Sequence, residues 1–139
     1  MKQFFTKLQV STRGRGLTDV TEKISTWVRS ENIETGLLTV FIQHTSASLV
    51  IQENADSDVL RDLEGFFKRL VVDGDPEYYH VLEGPDDMSA HIRTALTQTQ
   101  LSIPVANRRI ALGTWQGIYI YEHRTHPHTR SIALHLLGE

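Results

Sequence analysis

Two hydrophobic periods follow one another in an irregular order along this chain, and that order restricts its fold more than any other feature. Phe4, Thr6, Leu8 and Val10 fall on one side of a segment that alternates apolar and polar residues, which predicts a first strand. Thr12-Arg13-Gly14-Arg15-Gly16 breaks it. Thr18 or Asp19 can then cap a helix that places Val20, Ile24, Trp27 and Val28 on one stripe. Leu37 to His44 is rich in β-formers, and Ala47 to Gln52 reads as a strand paired with it. Asn54 to Ser57 supplies caps for a second helix with Val59, Leu60, Leu63, Phe66, Phe67 and Leu70 on a wide apolar face. A long loop, Asp73 to Pro85, precedes a short helix from about Met88 to Gln98. Three strands are expected after it: Ile110 onward, Gly117 to His123, and Ser131 to Leu137. The order β-α-β-β-α-loop-α-β-β-β lacks the regular alternation of a doubly wound sheet. It predicts an α+β fold, a mixed and largely antiparallel sheet with about three helices, in one domain over residues 1–139.

With no cysteine among 139 residues, neither disulfides nor thiolates can hold or operate this domain. The 40% of hydrophobic residues must supply the core. A net charge of −3 and the lack of a long basic stripe argue against nucleic-acid binding driven by charge. No window approaches the roughly 20 apolar residues of a membrane span. Residues 1–7 show no apolar stretch behind their positive charge, so no secretory signal is expected and the expected address is the cytoplasm.

The chemistry-bearing residues, including most of the seven histidines, gather in three blocks. Gln43-His44-Thr45-Ser46-Ala47-Ser48 leaves a strand with His44 in phase with Leu38, Val40 and Ile42, so its imidazole points toward a buried face. The hydroxyls of Thr45 and Ser46 can bind phosphate oxygens or satisfy backbone in a turn. Glu53 and Asn54 follow as candidates for substrate or metal contact. In His80-Val81-Leu82-Glu83-Gly84-Pro85-Asp86-Asp87-Met88-Ser89-Ala90-His91, Asp87 and His91 share a helical face, where a carboxylate can orient an imidazole as base or ligand. The third block, Gly113-Thr114-Trp115-Gln116-Gly117-Ile118, runs on to Glu122-His123-Arg124. Its glycines imply a bulge or a close backbone approach, and Gln116 and Glu122 flank an apolar strip, as in a lined pocket or an edge strand. The following His123-to-Arg130 turn concentrates positive potential that could receive a phosphate, or is a solvated hairpin loop.

Together these motifs resemble the YjbQ family, whose members are also called secondary thiamine-phosphate synthases. The resemblance spans essentially the whole chain and departs at Ser89, where many members carry proline after the methionine. It implies a YjbQ-like fold, a homotrimer with pockets near subunit boundaries, and a weak joining of a hydroxymethylpyrimidine pyrophosphate to a thiazole phosphate with pyrophosphate release. Carried onto this chain, it implies functional roles at His44, Thr45, Ser46, Asn54, His80, Asp86, Asp87, His91, Thr114, Gln116, Glu122, His123 and Arg124. Charge developing on the pyrophosphate calls for a divalent ion, with zinc, magnesium or manganese as candidates. His44, His80 and His91 are its expected ligands. Asp87, Gln116, Glu122 and His123 are the expected catalytic or orienting groups. Thr45, Ser46, Asn54, Thr114 and Arg124 are the expected contacts to a small phosphorylated substrate. The same residues would also serve a non-catalytic module that binds a metal or phosphometabolite, or a metal-dependent phosphoester hydrolase.

Overall fold

The alternating N-terminal segment forms strand β1 (Lys2–Ser11) in a computed structural model that describes residues 1–139. After it come β2 (Gly16–Asp19), α1 (Thr21–Ser30), β3 (Thr35–Ile42), β4 (Ala47–Glu53), α2 (Ser57–Leu70), α3 (Asp87–Leu96), β5 (Gln100–Ala106), β6 (Arg109–Ile110), β7 (Gln116–Glu122) and β8 (Thr129–Gly138). The fold is α+β with three helices, and every strand pairing is antiparallel. One sheet has the order β1-β8-β3-β5-β6 and the other β2-β7-β4.

Period two explains how the core forms. Leu38, Val40 and Ile42 of β3, Leu101, Ile103 and Val105 of β5, and Ile132, Leu134 and Leu136 of β8 all turn inward. They join Ile118 and Ile120 of β7, Leu49 of β4 and the α1 stripe of Ile24 and Val28 in one buried cluster that draws on both sheets. Trp27 packs against its edge. α2 differs, because none of its residues is buried, and Phe66 and Leu70 are 50% and 56% solvent-exposed on its apolar side.

Three expectations need correction. β4 does not pair with β3. Both edges of β3 are taken by β5 and β8, so the turn after His44 carries the chain across to the second sheet, where Ala47 pairs with Glu122 and Glu53 with Gln116. β5 is a strand despite Pro104, which pairs with Leu37 and accepts a hydrogen bond from Ala111 N. It closes on β6 through Asn107 and Arg108, at φ 52° and 63°, the two positive values of a type I′ hairpin. Of the strand expected from Ile110 onward, only Ile110 is paired, as the end of β6, and residues 111–115 form no strand. Lastly, β2 follows immediately on the Gly-Arg-Gly break, against β7.

At Gly36, a Cβ would collide with the backbone oxygen of Leu137 on β8. Gly36→Ala should therefore cost about 1–3 kcal/mol of unfolding free energy, as overpacking does. Gly65→Ala in α2, where the nearest atom is Arg69 Nη1 at 3.5 Å, should be neutral or stabilising by up to ~1 kcal/mol. Denaturant titration of both variants checks this, and equal losses would refute the close-approach argument.

Candidate metal centre

The site begins at the N-terminus of α3. Asp87 occupies its first position and His91 the same face one turn on, as their spacing requires. The preceding loop is pinched shut where Gly74 N donates to the Pro85 carbonyl at 2.9 Å, with Gly74 and Gly84 in the left-handed region that such a closure needs. The pinch swings His80 and Glu83 over the helix. His80 Nε2 lies 2.6 Å from Asp87 Oδ2 and 3.1 Å from Glu83 Oε2, and His91 Nε2 lies 3.0 Å from Asp87 Oδ2. One donor atom from each of His80, Glu83, Asp87 and His91 falls within 4.8 Å of all the others. The two rings are 5.5 Å apart.

The surrounding bonds orient these donors. His91 Nδ1 donates to the carbonyl oxygen of Thr45 at 2.8 Å, which fixes the tautomer and leaves Nε2 as a lone pair aimed at the cluster. Arg124 reaches in from the end of β7. Its Nη1 meets Asp87 Oδ1 at 2.9 Å, its Nε donates to Asp86 Oδ2 at 3.0 Å, and its Nη2 donates to the Glu83 carbonyl at 3.0 Å. Asp86 Oδ2 also accepts from Thr125 N and Oγ1. Burial pushes the carboxyl of Asp86 up, but the Thr125 and Arg124 donors outweigh it and hold the group far below the usual carboxylate range. Asp87 follows the same balance: burial raises it, while the hydrogen bond from His80 and the charge of Arg124 bring it down. The Asp87 bond raises His80 above an ordinary imidazole. Beneath the loop, Arg15 forks onto Asp73 at 2.9 and 3.0 Å, and Ser89 Oγ donates to the same carboxylate.

The other expected site residues lie elsewhere. His44 is not in the cluster: its Nε2 accepts from Ser131 N at 2.8 Å, so the lone pair a metal would need is spent on backbone. Arg124 is bound to acids and a carbonyl, which makes it an organiser of carboxylates rather than a free phosphate ligand. Glu122 does not line a pocket. It is fully buried, and its oxygens are held by Arg130 Nε at 2.8 Å, Arg130 Nη2 and Thr12 Oγ1 at 2.6 Å. His123 is fully buried too, with Nε2 2.8 Å from Ser48 Oγ, and Thr97 Oγ1 donates to that same hydroxyl at 2.6 Å. Burial, then the nearby charge of Arg93, pushes its imidazole down to about 3, which is wrong for a base working near neutrality. Asn54 Nδ2 donates to the carbonyls of Thr114 and Gln116, and Gln116 Oε1 accepts from Gly113 N, so these three residues stitch the turn before β7. Ser46 Oγ accepts from Arg130 Nη2 at 3.0 Å, while Thr45 contributes its carbonyl to His91. Glu83 was not singled out in the sequence, although His80-x-x-Glu83 with Asp87 four residues on carries the spacing.

An antiparallel two-sheet α+β domain with a histidine–carboxylate cluster between a pinched loop and a helix start defines the class. The family model described as UPF0047 protein YjbQ-like matches residues 6–139, and this chain belongs to that family. It is 52% identical over 132 residues to UPF0047 protein sll1880 of Synechocystis, covering 95% of this chain and 90% of that one. It is 44% identical to UPF0047 protein YjbQ of Escherichia coli O157:H7, covering 95% and 96%. Among solved structures, a YbjQ-like protein of unknown function from Sulfolobus solfataricus superposes with a TM-score of 0.89 at 25% identity, covering 99% of each chain. A hypothetical protein from Aeropyrum pernix superposes at 0.88 with 31% identity, covering 98% and 99%.

The burial of His123 has a pH signature. The unfolded imidazole takes a proton near its ordinary value of ~6.5, whereas the folded one stays neutral down to about 3. Stability from this group is thus complete above pH ~6.5 and declines as pH falls through that window, by at most ~1.4 kcal/mol per pH unit. Urea unfolding at pH 7, 6 and 5 should show this slope in the parent and a shallower one in His123→Gln. Identical slopes would mean His123 titrates normally.

Proposed function

We propose that this chain is a metal-assisted transferase of the secondary thiamine-phosphate synthase type, acting in the cytoplasm on small phosphorylated metabolites. The convergence of His80, Glu83, Asp87 and His91 carries the reading. Two imidazoles with two carboxylates suit zinc or manganese better than magnesium, which prefers an all-oxygen shell. When bound, such an ion neutralises charge developing on a departing pyrophosphate. The chain's own residues prepare for this. Arg124 keeps Asp87 ionised and turned toward the imidazoles, the Thr45 carbonyl holds His91 in its ligating tautomer, and the pinched loop brings His80 and Glu83 within reach.

The same proposal includes a homotrimer. The unburied apolar side of α2 adjoins a groove of about 490 Å³ walled by Leu49, Ile51, Leu63, Phe67, Leu96 and Tyr121, which offers an apolar face for contact between copies. No helix is long and apolar enough to cross a membrane. A second reading, metal-dependent hydrolysis of a phosphoester, draws support from the openness of the cluster: the side chains of His80 and Glu83 are 40% and 64% exposed, so water has access.

Metal analysis and turnover separate these readings. His91→Ala should lower metal affinity by at least ~100-fold, and Arg124→Met by ~10–100-fold, as the loss of an orienting partner does. Thiamine phosphate formation should fall in parallel. Undiminished metal content in His91→Ala would remove the centre. Intact metal with phosphate release from simple esters and no condensation would favour the hydrolase, and binding without any turnover a non-catalytic module.

A further inference from the structure

Beside the cluster, and sharing His91 with it, lies an open cavity of about 420 Å³ lined by His44, Thr45, His91, Thr94, Thr97 and Thr99. The hydrogen bonds at its His44 wall do not close. A backbone N–H can only donate, so Ser131 N requires an unprotonated Nε2 on His44, and the proton of that ring resides on Nδ1. Nδ1–H faces Arg130 Nη1 at 3.5 Å. Both are donors, so this is no hydrogen bond. Arg130 is only 4% exposed; its Nε and Nη2 are spent on Glu122 and Ser46, which leaves Nη1 without an acceptor. Thr94, 7% exposed and lining the same cavity as His44, has an Oγ1 with no partner in the chain. Burying a donor without an acceptor is costly, so the spare Nη1 of buried Arg130, 3.5 Å from the His44 Nδ1–H, and the unpaired Thr94 hydroxyl on the cavity that His44 lines mark a place suited to oxygen.

We infer that His44 Nδ1–H and Arg130 Nη1–H form an oxyanion subsite that holds a phosphoryl group of the substrate next to the metal centre, with the Thr94 hydroxyl as a further contact. A tetrahedral phosphoryl group, with three or four oxygens, suits donors supplied by separate residues better than a planar carboxylate does. Glu122 offsets the charge of Arg130, so the anion is held by directed hydrogen bonds more than by net positive potential. This deepens the transferase reading, on which the word substrate rests, and it moves His44 from metal ligand to phosphate donor. The subsite itself depends on no metal.

The test uses the full-length chain stripped of metal with EDTA and titrated with inorganic phosphate, binding being followed by phosphorus NMR and folding by amide spectra. Saturable binding is expected in the parent chain. His44→Phe should weaken it about tenfold or more, as the loss of a charge-assisted hydrogen bond does, and Thr94→Val about threefold to tenfold. Thr94→Val removes only a hydroxyl, so it decides the matter if His44→Phe does not fold. His80→Ala, which lies in the metal cluster but outside this cavity, should bind phosphate as the parent does while losing metal. Failure of the parent chain to bind phosphate, or equal affinity in folded His44→Phe and Thr94→Val, would overturn the subsite and leave the metal centre standing. Metal retention in His80→Ala with phosphate affinity lost from the two cavity variants would do the reverse.

Discussion

The guanidinium of Arg124 joins three pieces of chain that sequence order keeps apart, and the rest of the site depends on it. It leaves the end of β7 and meets Asp86 and Asp87 at the start of α3 and the Glu83 carbonyl in the pinched loop. Arg124 is partly buried and its partners Asp86 and Asp87 are buried, so it lies in a setting where one missing partner would strand a charge away from water. The result is an acid pair held ionised and aimed, with two imidazoles and a carboxylate closing over it.

A second arginine does comparable work on the opposite side of the His44–Ser46 turn. Arg130 is locked to Glu122, which also holds Thr12 at the end of β1, so this ion pair ties the two sheets together. The two arginines differ in what they leave over. Arg124 gives each of its three nitrogens an oxygen, whereas Arg130 keeps one nitrogen in reserve beside a histidine that also donates. In the proposed function the first arrangement serves a cation site and the second an oxygen site, and His91 borders both.

Much of this was legible in the residues. The alternation in β1, the stripe of α1 and the Asp87–His91 spacing each follow from local periodicity, and the structure keeps them. Whole-chain motifs pointed to the family. What failed depended on pairings between distant segments. Nothing local tells β4 that both edges of β3 are occupied, and Pro104 disguises β5 as a loop. His44 has the right phase to face inward, but only the position of Ser131 reveals which ring nitrogen is already used. Glu122 and His123 looked like site residues because polar groups near a glycine-flanked strand often are; here both are interior groups, Glu122 held by Arg130 and His123 bonded through Nε2 to Ser48.

The claim on which the functional account turns is that His80, Glu83, Asp87 and His91 hold one divalent ion. Crystals of zinc-loaded protein, with anomalous scattering recorded on both sides of the zinc edge, test it directly. The account predicts a single strong peak about 2.0–2.2 Å from the Nε2 atoms of His80 and His91 and from an Asp87 oxygen, with no peak at His44. A peak at the exposed histidines of the turn before β8, or none in the cluster at full occupancy of protein, would contradict it.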